Sequence, residues 1–319
     1  MSSLEYRTLG RSGIQVSRLC FGALTIGPLQ ANMTVEAGAA IIQEAFSLGV
    51  NFIDTAELYQ TYPHIRRAIK AMDRQKLVIA TKSYAYDKGT AEASLNMARK
   101  ELDLDQIDIF LLHEQENEHT IRGHMEALEY FKSMKEAGIL KAVGISTHHI
   151  AAVRAAAEID EIDIIHPIIN MTGLGIQDGS IKEMIEALET AHQRGKGIYG
   201  MKPLGGGNLI HDADQCFQFV LNLPFLDAVA VGMQTIEEVQ ANVMRFKGIS
   251  IPKALQDKIN TMPRRLHIDK WCETCGACIP KCSQKSLAIK NNILTVDPKT
   301  CVLCGYCSSY CPNFCIKIV

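Results

Sequence analysis

From residue 19 to residue 244 the chain alternates between short apolar runs and longer amphipathic ones, and this alternation constrains the fold more than any other feature. The pattern predicts strands over 19–23, 51–55, 77–81, 107–112, 142–145, 163–169, 198–201 and 228–231. Between and after them it predicts helices over 35–48, 63–72, 90–102, 123–137, 150–158, 180–194, 213–221 and 236–244. Gly49 stops the first helix and Pro63 starts the second. About eight strand–helix units of roughly 30 residues make a (β/α)8 barrel the leading architecture, with any site at the C-terminal ends of the strands. A doubly wound open sheet is the alternative, but no Gly-x-Gly-x-x-Gly turn follows the first strand. Ahead of the series, 6–18 carries Gly10, Arg11, Ser12 and Gly13 at a turn and reads as a hairpin.

The 319 residues suffice for one large domain and a small one. With 47% hydrophobic and 21% charged residues the composition is that of a globular chain with a sizeable core. A net charge of −2 gives no electrostatic case for nucleic acid or an anionic membrane. No apolar run approaches a bilayer span and the first residues do not read as a signal peptide, so a cytoplasmic protein is expected. The cysteines are unevenly placed: of 11, nine lie between Cys272 and Cys315. Cys20 and Cys216 sit in apolar surroundings and read as packing residues. Such clustering points to a metal module appended to a larger domain, not to a disulfide framework.

That module is an internal duplication. Cys272-x2-Cys275-x2-Cys278-x3-Cys282 recurs 29 residues later as Cys301-x2-Cys304-x2-Cys307-x3-Cys311, and Leu287 and Ile289 recur as Ile316 and Ile318. The segment resembles a bacterial two-cluster ferredoxin, which implies two [4Fe–4S] clusters. In that resemblance the fourth ligand comes from the opposite run. Cys272, Cys275, Cys278 and Cys311 would hold one cluster, and Cys301, Cys304, Cys307 and Cys282 the other. Ser283 stands where such proteins have proline, and Cys315 is an extra thiol in an apolar run that suits packing. A zinc ribbon fails on cysteine count.

Strand 51–55 ends in Asp54, with Tyr59 one turn beyond; the next two strands run into Lys82 and His113. A phenol donates a proton poorly near neutral pH unless an ammonium lowers its pKa, and an aspartate would hold that ammonium in place. Over about residues 4–250 the chain resembles the aldo-keto reductase family, whose catalytic aspartate, tyrosine, lysine and histidine map onto Asp54, Tyr59, Lys82 and His113. The turn Leu9-Gly10-Arg11-Ser12-Gly13 is similar to that family's N-terminal hairpin. The acidic and polar run Glu114, Gln115, Glu116 and Glu118 replaces the aromatic often found after the histidine.

The resemblance also implies a nucleotide site. The family holds the cofactor pyrophosphate on the loop after strand seven, here Lys202-Pro203-Leu204-Gly205-Gly206-Gly207; consecutive glycines let backbone N–H groups approach a phosphate. The carboxamide partners map onto Ser146, Thr147 and His166, of which the serine alone matches the family. The stacking tyrosine appears as Met201. Gly232 and Glu238 stand where NADPH-specific relatives have basic residues, with Asn242 one turn on. NAD(P)(H) is therefore expected, NADH being favoured.

The expected molecule is an α/β protein: a (β/α)8 TIM barrel over 1–250, a linker with a short helix over 251–266, and a small α+β ferredoxin-like iron–sulfur domain over 267–319. The expected activity is NAD(P)-dependent reduction of a small carbonyl compound, or oxidation of the alcohol. A redox partner protein would dock at the ferredoxin-like domain. Hydride carries two electrons whereas each cluster takes one, and no flavin motif is visible to mediate. The alternative is an electron carrier in which the barrel is a docking scaffold or redox sensor.

Overall fold

The computed structural model describes residues 3–70 and 72–319. The hairpin forms from β1 (Tyr6–Thr8) and β2 (Gln15–Ser17). The barrel strands are β3 (Leu19–Gly22), β4 (Phe52–Asp54), β5 (Val78–Ser83), β6 (Ile107–Leu112), β7 (Leu140–Thr147), β8 (Ile164–Pro167), β9 (Gly197–Met201) and β10 (Ala228–Gly232). They pair in parallel in sequence order, and β10 closes on β3.

Alternation along each strand divides the apolar residues between two cores. Phe52, Val78, Ala80, Ile109, Leu111, Ala142, Ile164, Tyr199, Ala228 and Ala230 point inward, and Leu9, Ile14 and Val16 of the hairpin plug the barrel's N-terminal end beneath them. The intervening residues, such as Ile53, Ile79 and Phe110, face the surrounding helices. Because the strand period is two, Asp54, Lys82, His113 and His166 continue the inward rows beyond the last apolar layer.

The expected elements are present with shifts at their ends. The helix expected over 123–137 is two, Glu118–Gly123 and Met125–Glu136, broken at His124. Asn117 starts the earlier one, its side chain accepting from the Thr120 N–H in a capping box. The helix expected over 63–72 runs Tyr62–Ile69; residue 71 lies outside the described residues, as do the first two. Among the described residues no helix is long and apolar enough to cross a membrane.

After the helix Lys253–Asn260, β11 (Leu266–Ile268) pairs antiparallel with β14 (Ile316–Ile318), and β12 (Leu287–Lys290) with β13 (Ile293–Val296). The sequence duplication is repeated in the backbone. Thr274 and Leu303, Gly276 and Gly305, and Lys285 and Phe314 take matching left-handed conformations. The Ser286 N–H donates to Cys282 Sγ (3.3 Å), as the Cys315 N–H does to Cys311 Sγ (3.1 Å).

This small module is fastened over the C-terminal face of the barrel. Phe314 is buried in the barrel's outer core and packs on Gly175. The Ile318 N–H donates to Gly206 O (3.0 Å), and Asn208 Nδ2 donates to Ser308 Oγ (3.1 Å) and Ile316 O (3.2 Å). Gly207 has φ +84° and lies so close to β14 that a Cβ would stand 1.9 Å from Ile318 O.

Candidate active site and cluster module

Asp54 ends β4, and Lys82 lies near the end of β5 on the neighbouring inward row. The Lys82 ammonium donates to both Asp54 oxygens (2.8 Å each) and to Thr55 O (2.7 Å). Both side chains are buried. Tyr199 Oη donates to Asp54 Oδ1 at 2.9 Å. Burial alone would raise the Asp54 pKa; the Lys82 charge, His166 and these hydrogen bonds outweigh it and hold the carboxyl below its usual range.

Tyr59 ends a short 3-10 turn, Glu57–Tyr59, with Lys82 Nζ 4.9 Å from its ring centroid. The expectation that Lys82 lowers the phenol's pKa is not met in this arrangement. Burial, then the charges of Asp54 and Glu114, push Tyr59 well above its ordinary value. Buried beside those negative charges, Tyr59 is a neutral phenol that keeps its proton until a stronger base arrives.

His113 follows β6. Its ring stands edge-on to Tyr59 (5.7 Å) and stacks on Tyr84 (4.6 Å). Burial lowers its pKa to about 3, so the imidazole is neutral, and its buried Nδ1 has no hydrogen-bond partner among the described residues. Tyr84 Oη donates to Glu114 (2.5 Å), which occupies part of the polar run after the histidine.

Asp54, Tyr59 and His113 lie together on one cavity of about 1180 Å³, with Lys82 beneath them. The cavity continues past Met201, Lys202, Leu204 and Gly206 to Glu238 and Asn242, and the cluster module walls it with Trp271, Leu303 and Lys317. Of the expected nucleotide contacts, Ser146, Thr147 and Gly205 lie off this lining. Ser146 Oγ accepts from the Glu114 N–H (2.9 Å), Thr147 Oγ1 accepts from the His149 N–H (2.8 Å), and Gly205 faces Leu174 and Leu209. His166 lines the cavity, but Nδ1 donates to Tyr199 O (2.6 Å) and the ring stacks on Tyr199 at 3.9 Å. Glu238 is not a lone carboxylate: Arg264 donates to it at 3.0 Å and the Gln234 N–H at 2.8 Å. Among the described residues, the N–H groups of Gly206 and Gly207 donate to no protein acceptor.

In the module the two cysteine runs repeat one burial pattern, with Cys278 and Cys307 buried and Cys275 and Cys304 exposed. Burial raises the Cys278 pKa, and the charges of Cys311, Cys272 and Cys275 add to it; around Cys307 burial comes first, then the charges of Cys278, Cys304, Cys282 and Cys301. Burial pushes Cys307 up to about 11, so its thiolate requires a cationic partner. Among the described residues no three His, Cys, Asp or Glu side chains converge as they would on a single metal ion.

A barrel with this Asp–Lys–Tyr–His arrangement at its strand ends, capped by a cysteine-rich module, defines the class before any comparison is made. The profile of the Aldo/keto reductase family matches residues 18–218, and a 4Fe-4S binding domain matches 294–317. The chain belongs to the aldo/keto reductase family. It is similar to L-galactose dehydrogenase of Arabidopsis thaliana, 26% identical over 66% of this chain and 68% of that one. A probable aldo-keto reductase 1 of Glycine max is 28% identical (62% and 59% covered), and methylglyoxal reductase DkgA of Yersinia pestis 24% (55% and 65%). The chain thus spans about three fifths to two thirds of these relatives' lengths. Among solved structures, an aldo-keto reductase of Bacillus halodurans in its holo form superposes with a TM-score of 0.65, at 21% identity over 81% of this chain and 95% of that one. The PA4992 protein of Pseudomonas aeruginosa gives 0.67, at 23% identity over 77% and 96%. These likenesses carry the fold.

Sequence reasoning missed Tyr199, the second donor to Asp54, although an inward tyrosine on a strand of small residues was a signal. It read Arg264 as linker, and had no means of seeing Lys317 or Trp271 in the barrel's cavity.

Proposed function

We propose that this protein is an NAD(P)H-dependent carbonyl reductase, or alcohol dehydrogenase in reverse, that carries two [4Fe–4S] clusters. One observation carries the reading: the neutral phenol of Tyr59 and the neutral imidazole of His113 line one cavity together with Asp54, which holds Lys82 beneath them. The relatives named as a dehydrogenase of a sugar and a reductase of methylglyoxal support small carbonyl or alcohol substrates.

A bound reduced nicotinamide would supply hydride to the carbonyl carbon. The chain's own residues handle the oxygen. His113 donates a hydrogen bond that orients and polarises it, and Tyr59 Oη delivers the proton to the developing alkoxide. Lys82, fixed by Asp54, stands 4.9 Å from the centre of the Tyr59 ring. The free N–H groups of Gly206 and Gly207 suit a pyrophosphate, and Asn242 and the Glu238–Arg264 pair border the far end. Since Arg264 offsets Glu238, the NADH preference rests on Glu238 accepting from a ribose hydroxyl while it remains ion-paired. The two fours of cysteines, Cys272, Cys275, Cys278 and Cys311, and Cys301, Cys304, Cys307 and Cys282, would hold clusters that supply one-electron chemistry.

The second reading, an electron carrier, is favoured by the solvent-exposed Cys275 and Cys304 and by the engagement of Ser146, Thr147 and His166 with protein groups. Anaerobic, cluster-replete protein titrated with NADH and NADPH, then assayed on aldehydes and ketones, separates the two. Tyr59→Phe removes the proton donor and should cut carbonyl reduction at least ~10²-fold while cluster-to-dye electron transfer persists. Equal turnover by wild type and variant would leave the carrier reading in possession.

A further inference from the structure

Lys202 takes a left-handed φ of +58°, costly for a lysine, and this carries its side chain into the cavity from the end of β9. Its ammonium donates to His148 Nε2 at 2.7 Å. Burial, then the charges of Lys202 and Lys317, keep that imidazole neutral. Among the described residues no carboxylate stands within ion-pairing distance of Lys202, so two of its three N–H donors remain for something else. Lys317, contributed by β14 of the cluster module, lays its stem across Gly206 and lines the same cavity. The two ammonium groups lie 5.5 and 3.3 Å from the ring centroid of Phe314, hence within about 9 Å of each other. Lys317 has Asp269 at 3.8 Å, and Asp269 also serves His267 at 3.2 Å. Two like charges brought together at a protein interior repel and lose hydration unless an anion joins them. Glu114, the other nearby carboxylate, accepts from Tyr84.

We propose that Lys202 and Lys317 form an oxyanion subsite for the substrate, so that the carbonyl compound carries a carboxylate or phosphate held by a barrel lysine and a cluster-module lysine together. This rests on the carbonyl-reductase reading and names its substrate class. The choice of substrate over the dinucleotide's own phosphates follows from location. The Lys202 ammonium reaches His148, just after β7, and its charge acts on His113 and Glu114, whereas Glu238 and Asn242 stand on the helix that follows β10. Specificity would then depend on the module being folded and docked, apart from any electron it carries.

The test is calorimetric binding of unreactive product alcohols to the anaerobic, cluster-replete full chain: 4-(hydroxymethyl)benzoate against benzyl alcohol. Wild type should bind the carboxylate roughly tenfold or more tightly, as charge-assisted hydrogen bonds provide. Lys202→Met and Lys317→Met should each bring the ratio towards one, with iron content checked in both; Lys202→Met alters no module residue and keeps the test open if Lys317→Met unseats β14. Equal binding of both alcohols by wild type, or an undiminished ratio in Lys202→Met, overturns the proposal. So does weakened NADH binding in the variants at an unchanged ratio, which would give the lysines to the dinucleotide. Because the alcohols bind without turnover, a wild type that reduces neither 4-carboxybenzaldehyde nor benzaldehyde sinks the reductase reading while the binding ratio still decides the subsite.

Discussion

The barrel site and the cluster module solve the same problem, holding reactive groups in place, in opposite ways. In the barrel, Asp54 and Lys82 sit on two packed strands, above layers of Phe52, Val78, Ala80 and Ile109. Packing fixes the chemistry, and nothing else need be bound. In the module, the thiols lie on turns around a small core in which Leu266, Leu287, Leu294, Ile316 and Ile318 are joined by Cys278 and Cys307 themselves. So few apolar residues cannot offset the entropy of ordering such a segment without a metal or a docking surface. The module has both: its ligands, and the barrel face that takes Phe314 and β14.

The comparison breaks most visibly when iron is removed. Anaerobic protein should hold about eight iron per chain, and Cys307→Ser about half. Chelation should abolish amide protection in β11–β14 and β12–β13 while the barrel strands keep theirs. Loss of barrel protection in parallel, measured by hydrogen exchange, would mean that the two regions fold as one.

The next largest effect belongs to the buried pair. Lys82→Met leaves Asp54 a buried charge without its cation, with Tyr199 as a remaining donor, which costs roughly 3–5 kcal/mol. Lys82→Met combined with Asp54→Asn should recover much of it in urea denaturation. An additive double variant would show that the pair is not a unit. For the same reason Tyr59→Phe is the cleaner probe of catalysis.

The smallest effect concerns pH. Burial holds His113 and His166 neutral in the folded barrel, with pKa values of about 3 and about 4. Unfolded, each takes a proton near pH 6.5, so their folded-state stability is complete above that value and erodes as pH falls below it. Between pH 6.5 and 5 each should cost about 2 kcal/mol. Far-UV circular dichroism in urea should give a shallower pH slope for His113→Asn than for wild type; identical slopes would place a charged histidine in the folded state.

The strands and helices of the barrel were legible because each carries a period that burial imposes. The break at His124 was not, since the residues on either side share one helical pattern and a capping box at Asn117 decides where the first helix begins. Asp54, Lys82 and His113 were legible at strand ends and Tyr59 one turn beyond Asp54, and the family resemblance joined the four. The carboxamide partners were found less well. Ser146 and Thr147 end β7, where their hydroxyls are committed to the Glu114 and His149 N–H groups.

The sequence by itself determined the eight strand–helix units, the inward tetrad and the duplicated cysteine runs, because period and spacing are local properties. The tertiary structure alone decided what those parts do to one another. It set the phenol's pKa upward, by burying Tyr59 near the charges of Asp54 and Glu114. It neutralised Glu238 with Arg264, distant in the chain. And it brought Lys317 to Lys202, because Phe314 finds its burial in the barrel and draws the last strand across the glycine loop with it.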